Sequence, residues 1–264
     1  MGKPGPCFET KIGDAVVLTL PILGDNYAYV LVSGHHAAAV DPADASRVSA
    51  VLAERKLRLS LILNTHHHGD HVAGNADLKA ATGCGIGGPA DGRIPGLDRP
   101  LGGGSIVDVG RVRLWVMATP GHTRSHVAYC DPVYGMVFTG DTLFAGGCGR
   151  LLEGTAADLW DSLCRLADLA DETMVFCGHN YTVENLRFAA GLEPANNAVR
   201  QRLENAERQE AQGLPTVPST MALEKATNPF LRAARPELAA ALGMKGARPV
   251  DVFAELRRRK DVFG

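Results

Sequence analysis

Four of the nine histidines in this sequence fall within six consecutive positions, in the segment Thr-His-His-His-Gly-Asp-His. The segment follows Leu59–Leu63, a short apolar run with the length and ending of a buried strand. In an extended chain alternate side chains share a face, so His66 and His68 can converge on one ion while the histidine between them points away. Asp70 and His71 can turn toward a second ion. Imidazole nitrogens and carboxylate oxygens bind borderline divalent metals, and the segment therefore predicts a metal site.

Three further apolar runs each end at a small residue that is followed by one side chain able to bind a metal. These side chains are His122, Asp141 and His179. A lone histidine at such a position is more often a core residue with a satisfied hydrogen bond. The same pattern at three strand ends, beside the histidine-rich segment, instead favours ligands. A solvent-exposed chelating tract is the alternative for the histidine-rich segment, but such a tract does not usually follow a buried strand.

The elements needed to position these side chains are short strands interspersed with helices. Each predicted strand has four to six residues and ends at Gly, Pro, Asp, Asn or Thr, as buried strands do. Two segments, Ala45–Lys56 and Ala156–Leu169, have apolar residues at helical spacing. Strands mixed with helices predict a layered α/β architecture rather than a helix bundle. The predicted strands are Ala15–Leu20, Tyr27–Val32, Ala37–Val40, Leu59–Leu63, Val112–Val116, Val127–Cys130, Met136–Thr139 and Met174–Cys177.

After Tyr181 the sequence changes in character, and Val183–Gly213 is rich in Ala, Leu, Glu, Arg and Gln and has no strand-like run. We predict a metal-binding domain over residues 1–180 and a helical domain over residues 181–264. The net charge differs between them, at -5 for the first and +3 for the second, within a total of -2. The predicted helices fill Val183–Gly213, with a break at Gly191–Pro194, and then Ala222–Lys225, Pro236–Leu242 and Pro249–Arg259.

The composition excludes several classes of protein. With 264 residues, 45% hydrophobic and 21% charged, the chain can form a packed core, unlike a disordered chain, a collagen-like fibre or a disulfide miniprotein. A near-neutral charge argues against nucleic-acid partners, and no run approaches the ~20 apolar residues of a membrane span. Six cysteines without CxxC spacing, and a first segment without an apolar signal region, predict reduced thiols in a cytoplasmic protein. We expect a monomer.

Four motifs, taken in order, resemble those of the metallo-β-lactamase superfamily: Thr-His-His-His-Gly-Asp-His, Pro-Gly-His-Thr, Thr-Gly-Asp-Thr and Cys-Gly-His-Asn-Tyr-Thr. The resemblance extends from residue 15 to residue 182. It implies a four-layer αββα sandwich with a dinuclear site at one sheet edge. Zinc is the expected metal, with iron or manganese as alternatives, since all three accept these ligands. The implied ligands are His66, His68 and His122 for the first metal, Asp70, His71 and His179 for the second, and Asp141 as the bridge.

Three later segments resemble the glyoxalase II family, the hydroxyacylglutathione hydrolases, and extend the resemblance to about residue 263. They are Gly147–Thr155, Thr227–Arg232 and Arg257–Asp261. In that family the C-terminal helical domain supplies half of the thioester pocket. By position, Arg257 and Lys260 would bind the carboxylate of the glutathione glycine, and residues i and i+3 of a helix do share one face. A solvated basic segment is the alternative for this pair.

The resemblance implies two more substrate-binding residues and one departure. Tyr181 would hydrogen-bond the peptide near the thioester sulfur, although an ordinary half-buried tyrosine is an open alternative. Arg150 stands where a lysine is common. Leu152 replaces a usual tyrosine, so one hydroxyl donor to glutathione is missing, and recognition of the thiol would be weaker or altered.

The activity implied is hydrolysis of S-D-lactoylglutathione, or of related acyl-glutathione thioesters, to D-lactate and glutathione, as in methylglyoxal detoxification. A metal-bridging hydroxide would attack the acyl carbon, because metals lower the pKa of water toward ~7. Asp70 and Asp141 are the predicted catalytic residues, and Asp141 would hold both ions.

Other activities of the same fold remain as alternatives, since a fold hosts many chemistries. They are a hydrolase of a different thioester or lactone, a β-lactamase-like hydrolase, and a persulfide dioxygenase-like enzyme with a single iron. A nucleic-acid binding module is disfavoured by the acidic first domain and by the lack of basic residues interleaved with aromatic ones.

Overall fold

The computed structural model describes residues 6–263, so residues 1–5, on which part of the targeting prediction depends, lie outside the described residues. The chain forms two compact units. Unit 1 comprises residues up to 118 together with 125–140, and unit 2 comprises 119–124 together with the residues from 141 onward.

The first sheet of unit 1 has seven strands that follow one another in chain order. Strands β1 to β4 pair antiparallel, whereas β4 to β7 pair parallel. The strands are β1 Phe8–Ile12, β2 Ala15–Ile22, β3 Asn26–Ser33, β4 His36–Val40, β5 Arg58–Leu63, β6 Gly85–Pro89 and β7 Arg99–Leu101.

Helices α1 (Ala45–Arg55) and α3 (Asn75–Thr82) cover this sheet. Helix α1 begins where the Asp44 side chain accepts a hydrogen bond from the Arg47 amide, which satisfies one of the unpaired N–H groups of the first turn. Its apolar face packs Val48, Val51 and Leu52 into the core cluster of the sheet. The residues at i, i+3 and i+4 that predicted the helix are therefore the residues it buries.

A second sheet in unit 1 contains four antiparallel strands: β8 Ile106–Val109, β9 Val112–Ala118, β10 Val127–Asp131 and β11 Met136–Gly140. All residues of β10 and β11 are buried. Continuous burial explains why these strands appear in the sequence as uninterrupted apolar runs rather than as alternating ones.

Unit 2 is mainly helical. A short hairpin, β12 Leu143–Phe144 and β13 Gly147–Cys148, precedes helix α4, and β14 Met174–Cys177 pairs antiparallel with β15 Ser219–Thr220. Helix α4 begins with a capping box, in which Thr155 and Asp158 satisfy each other's backbone amides. The helices are α4 Ala156–Ala167, α5 Thr182–Leu192, α6 Asn197–Ala211, α7 Met221–Thr227, α8 Pro236–Ala241 and α9 Pro249–Asp261.

A buried polar network links the helices of unit 2 to the β12–β13 hairpin. Glu224 on α7 is fully buried and forms an ion pair with Arg202 on α6. Its other oxygen accepts hydrogen bonds from the Gly146 amide (2.9 Å) and from Asn228 (3.0 Å). Asn228 Nδ2 also donates to the carbonyl oxygen of Gly147 (2.9 Å). The network therefore fixes the hairpin backbone from the side of α7.

The structure confirms each predicted strand and each predicted helical segment, with differences of a few residues at their ends. The short strand β15 was not predicted, and it lies after the segment Val183–Gly213 in which no strand was expected. Strand β6 was also missed, since its sequence Gly-Ile-Gly-Gly-Pro has the composition of a loop. All six cysteines are free. Among the residues described, no helix is long and apolar enough to cross a membrane.

Candidate metal and substrate site

The histidine-rich segment leaves the end of β5 in unit 1 and places His66 and His68 together. The Nε2 atom of His66 lies 2.9 Å from the Nδ1 atom of His68, so both nitrogens can contact one cation. The backbone before them is held by the hydroxyl of Tyr129, which donates to the Asn64 carbonyl at 2.6 Å. The structure therefore brings His66 and His68 together, as the sequence prediction requires.

Asp70 and His71 lie in the single-turn helix α2 (Gly69–Val72). Oδ2 of Asp70 is 3.5 Å from Nε2 of His71, and the same oxygen accepts a hydrogen bond from Asn26 Nδ2 at 3.0 Å. Asn26 also donates to the Asp70 carbonyl oxygen, at 3.1 Å. These two contacts from the Asn26 amide group fix the direction of the Asp70 carboxylate. Asn26 was not identified from the sequence.

Asp41, at the end of β4, is the second residue that the sequence reasoning missed. Its carboxylate accepts hydrogen bonds from the Thr65 amide (2.8 Å) and hydroxyl (2.7 Å), and it lies 3.0 Å from Nδ1 of His71. The Thr65 hydroxyl in turn contacts Nδ1 of His66 at 3.0 Å. With both Nδ1 atoms engaged, the Nε2 atoms of His66 and His71 are left for a metal. The sequence feature that could have identified Asp41 is its position directly after the predicted strand Ala37–Val40.

The remaining histidines of unit 1 have other surroundings. His67 faces Asp91, with 3.4 Å between Nδ1 and the carboxylate, as expected for the side chain that points away. His126 is buried and stacks on the ring of His66, with 4.9 Å between ring centroids. His35 and His36 are exposed.

Unit 2 brings together the three ligand-type residues predicted from separate strand ends. Oδ2 of Asp141 lies 3.4 Å from Nε2 of His122 and 3.3 Å from Nε2 of His179, and all three side chains are buried. Nδ1 of His122 contacts the Arg150 carbonyl oxygen at 2.9 Å, so again Nε2 is left for a metal. Gly121, before His122, has φ +146, and a Cβ there would lie 2.5 Å from Leu159. Only glycine therefore allows the backbone just before His122 to pass this close to Leu159.

A cavity of about 360 Å³ within unit 2 is lined by His122 and Asp141 and by the predicted substrate-binding residues. Tyr181 stacks on the ring of His179, with 4.8 Å between centroids. Burial raises the pKa of the Cys148 thiol to about 11, so this lining residue stays protonated and is a poor nucleophile. The lining includes His122, Asp141, Arg150, Tyr181, Arg257 and Lys260.

The two predicted cations on α9 differ in their contacts. Arg257 is buried and donates to the Cys148 carbonyl oxygen at 2.8 Å and to Asp261 at 3.0 Å, with its guanidinium 5.1 Å from the Phe230 ring centroid. Lys260 instead places its ammonium near the aromatic rings of Phe188 and Phe263.

Leu152, which stands where the family usually has a tyrosine, is 59% exposed.

Two family models match the chain and together cover nearly all of it. The metallo-β-lactamase superfamily matches residues 22–179, and the hydroxyacylglutathione hydrolase C-terminus matches residues 180–263. The chain is 51% identical to the hydroxyacylglutathione hydrolase of Methylococcus capsulatus over 94% of this chain and 98% of that one. It belongs to the hydroxyacylglutathione hydrolase family. The enzyme of that name from Cereibacter sphaeroides is 47% identical, over 94% of this chain and 98% of the relative.

Among solved structures, a protein in a di-iron-bound form is 29% identical to this hydroxyacylglutathione hydrolase family member. The TM-score is 0.59, with 80% of this chain and 98% of that chain covered. The predicted metallo-β-lactamase fold followed by a helical region is confirmed. This fold and the His and Asp clusters of each unit support a dinuclear site for divalent metals.

Because Asp41 orients His71 and, through Thr65, His66, we expect Asp41→Asn to weaken metal binding by about 10- to 100-fold. Asparagine tolerates the positive φ of 48 at this position, so the backbone is preserved. Metal content at equilibrium with a chelator buffer measures the effect. Asp108→Asn, at an exposed position paired with Arg113, is the matched control. Unchanged affinity in Asp41→Asn would contradict the orienting role.

Proposed function

We propose that this protein hydrolyses S-D-lactoylglutathione, or closely related acyl-glutathione thioesters, to D-lactate and glutathione. The observation that carries the proposal is the cavity of unit 2, in which His122 and Asp141 share one space with the cationic groups of Arg150, Arg257 and Lys260. A cavity lined both by candidate metal ligands and by cationic side chains suits an anionic substrate that has a hydrolysable bond. Relatives at 42–51% identity carry the name hydroxyacylglutathione hydrolase.

The donor set fits divalent metals, since it consists of imidazoles and carboxylates, and Nδ1 of His66, His71 and His122 contacts a protein oxygen. When bound, such metals lower the pKa of water and polarise a carbonyl group. Asp141 would contact both ions and Asp70 would complete the second site, which makes them the catalytic carboxylates. The proposed ligands are His66, His68 and His122 for one metal, Asp70, His71 and His179 for the other, and Asp141 for both.

The remaining site residues would bind and orient the glutathione moiety. Arg257 and Lys260 would receive its glycine carboxylate, Tyr181 its peptide near the sulfur, and Arg150 an anionic part of the tripeptide. The glutathione thiolate is a good leaving group, with a pKa of about 8–9, so no strong general acid is needed at the sulfur. This division of roles assigns metal binding to residues 1–180 and, apart from Arg150, glutathione binding to residues 181–264, in line with the two family matches.

We further propose zinc as the metal, a cytoplasmic monomer, and a role in removing methylglyoxal. Zinc suits the His and Asp ligands, although iron and manganese accept the same set, so elemental analysis of purified protein decides between them. Gel filtration with light scattering measures the mass of the particle.

The proposed activity is tested by hydrolysis of S-D-lactoylglutathione beside a series of other acyl-glutathiones, with metal content measured on the same sample. We expect D-lactate and free thiol in equal amounts, with turnover lost on chelation and restored by added metal. Absence of thiol release from any acyl-glutathione by metal-replete protein would refute the proposal. Oxygen consumption with glutathione persulfide would instead identify a dioxygenase.

A further inference from the structure

Lys260 is held in the cavity of unit 2 by aromatic rings. Its ammonium nitrogen lies 5.3 Å from the ring centroid of Phe263 and 5.9 Å from that of Phe188. The two rings meet edge to face, with 5.3 Å between their centroids. Both Lys260 and Phe263 line the cavity.

These rings are the contacts that position the ammonium. Across residues 6–263, Lys260 Nζ makes no hydrogen bond and no ion pair, whereas Arg257 one turn earlier is fixed by Cys148 and Asp261. A lysine has four flexible side-chain bonds, so without a fixed partner its ammonium samples many positions. Rings within about 6 Å attract a cation through their negative faces.

The surroundings of Lys260 also withdraw it partly from water. Burial lowers its pKa, with smaller opposing effects from the exposed Glu184 and from Asp261, and further lowering by Arg257 and Arg150. An ammonium in such a place gains more from a ring face and from an incoming carboxylate than a fully hydrated one does.

The two rings differ in what they contribute to the fold. Phe188 is 4% exposed and stacks on Phe230 within the core of unit 2, so its removal would disturb packing. Phe263 is 46% exposed and follows the end of α9, so it can be replaced without opening the core. It lines the cavity together with Lys260.

We propose that Phe263 is a positioning and specificity-determining residue, which holds the Lys260 ammonium toward the cavity so that it recognises the terminal carboxylate of the thiol carrier. This inference rests on the proposed function and extends it, because it assigns discrimination of the thiol carrier to an aromatic residue that touches no reacting atom. The ring acts through Lys260 and not on the acyl group.

The test combines kinetics with binding. In Phe263→Ala we expect KM for S-D-lactoylglutathione to rise by about 3- to 10-fold with kcat unchanged, since the lysine loses its fixed position and not its charge. The same thioester with the glycine carboxylate converted to an amide should show the same KM in both proteins. Calorimetry should show a matching rise in the Kd of glutathione itself. Val262→Ala, at a neighbouring exposed position, is the control.

Two further variants distinguish the effect of the aromatic ring face from that of side-chain volume. Phe263→Trp should keep near-normal KM because indole is the better cation partner, and Phe263→Leu should behave like Phe263→Ala. Adding Phe263→Ala to Lys260→Ala should raise KM no further. Equal effects on the acid and amide substrates, a normal Kd for glutathione in Phe263→Ala, or normal behaviour of Phe263→Leu would each overturn the inference. A wild-type protein that binds glutathione but releases no thiol would refute the hydrolase proposal alone, because the shift in Kd still tests Phe263.

Discussion

Asp141→Ala is expected to lower thioester hydrolysis on the order of 10³-fold and to lower the metal content of the purified protein. One oxygen of this buried carboxylate lies within 3.4 Å of both His122 Nε2 and His179 Nε2. Without it, the two imidazoles lose the anionic partner that would offset the charge of bound cations. Steady-state kinetics with S-D-lactoylglutathione and elemental analysis of the same preparation measure the two losses.

A surface carboxylate of unit 2 provides the comparison for Asp141. Asp161 on α4 pairs with Arg165 in solvent, so Asp161→Ala should leave both metal content and turnover near normal. Asp141→Asn keeps the shape of the side chain but not its charge, and we expect it to resemble the alanine variant. Full activity of Asp141→Ala at normal metal content would refute its assignment as a shared ligand.

Glu224→Ala is expected to reduce the free energy of unfolding by about 3–5 kcal/mol. The substitution leaves the guanidinium of Arg202 buried without its ion-pair partner, and it removes the acceptor of the Gly146 amide. An uncompensated buried charge accounts for most of this loss. Urea denaturation followed by circular dichroism measures it, and the midpoint should move to lower urea concentration.

Paired variants test whether the charge or the packing is responsible. Glu207→Ala breaks the exposed pair with Arg187 and should change the free energy of unfolding by less than about 1 kcal/mol. Replacing both Arg202 and Glu224 with apolar residues of similar volume should recover much of the loss, since no charge then stays buried alone. A decrease below about 1 kcal/mol in Glu224→Ala would show that the network contributes little stability.

The sequence by itself determined the eight predicted strands and the ligand-type residues that follow four of them. Strand β5 and the histidine run after it are local features, because an apolar run of strand length must be buried and its first polar residues must leave the sheet at its end. The alternation that placed His66 and His68 on one face is a property of any extended backbone. The same logic identified Asp141 and His179 from single strand ends.

Tertiary structure alone decided how those ligands are oriented. Asp41 acts on His71, 30 positions later in the chain, and Asn26 acts on Asp70 across 44 positions. The path of the chain between such residues determines whether they meet, and no local pattern records it. A single Asp after a strand is too common a feature to have identified Asp41 in advance.

The same limit applies to the cations of α9. Helical spacing placed Arg257 and Lys260 on one face, but it could not show that the first is bound to Cys148, 109 positions earlier, while the second lies over the rings of Phe188 and Phe263. Nor could it pair Arg202 with Glu224. Periodicity depends on neighbours three or four residues apart, whereas the partner of a buried charge depends on which distant segments pack together.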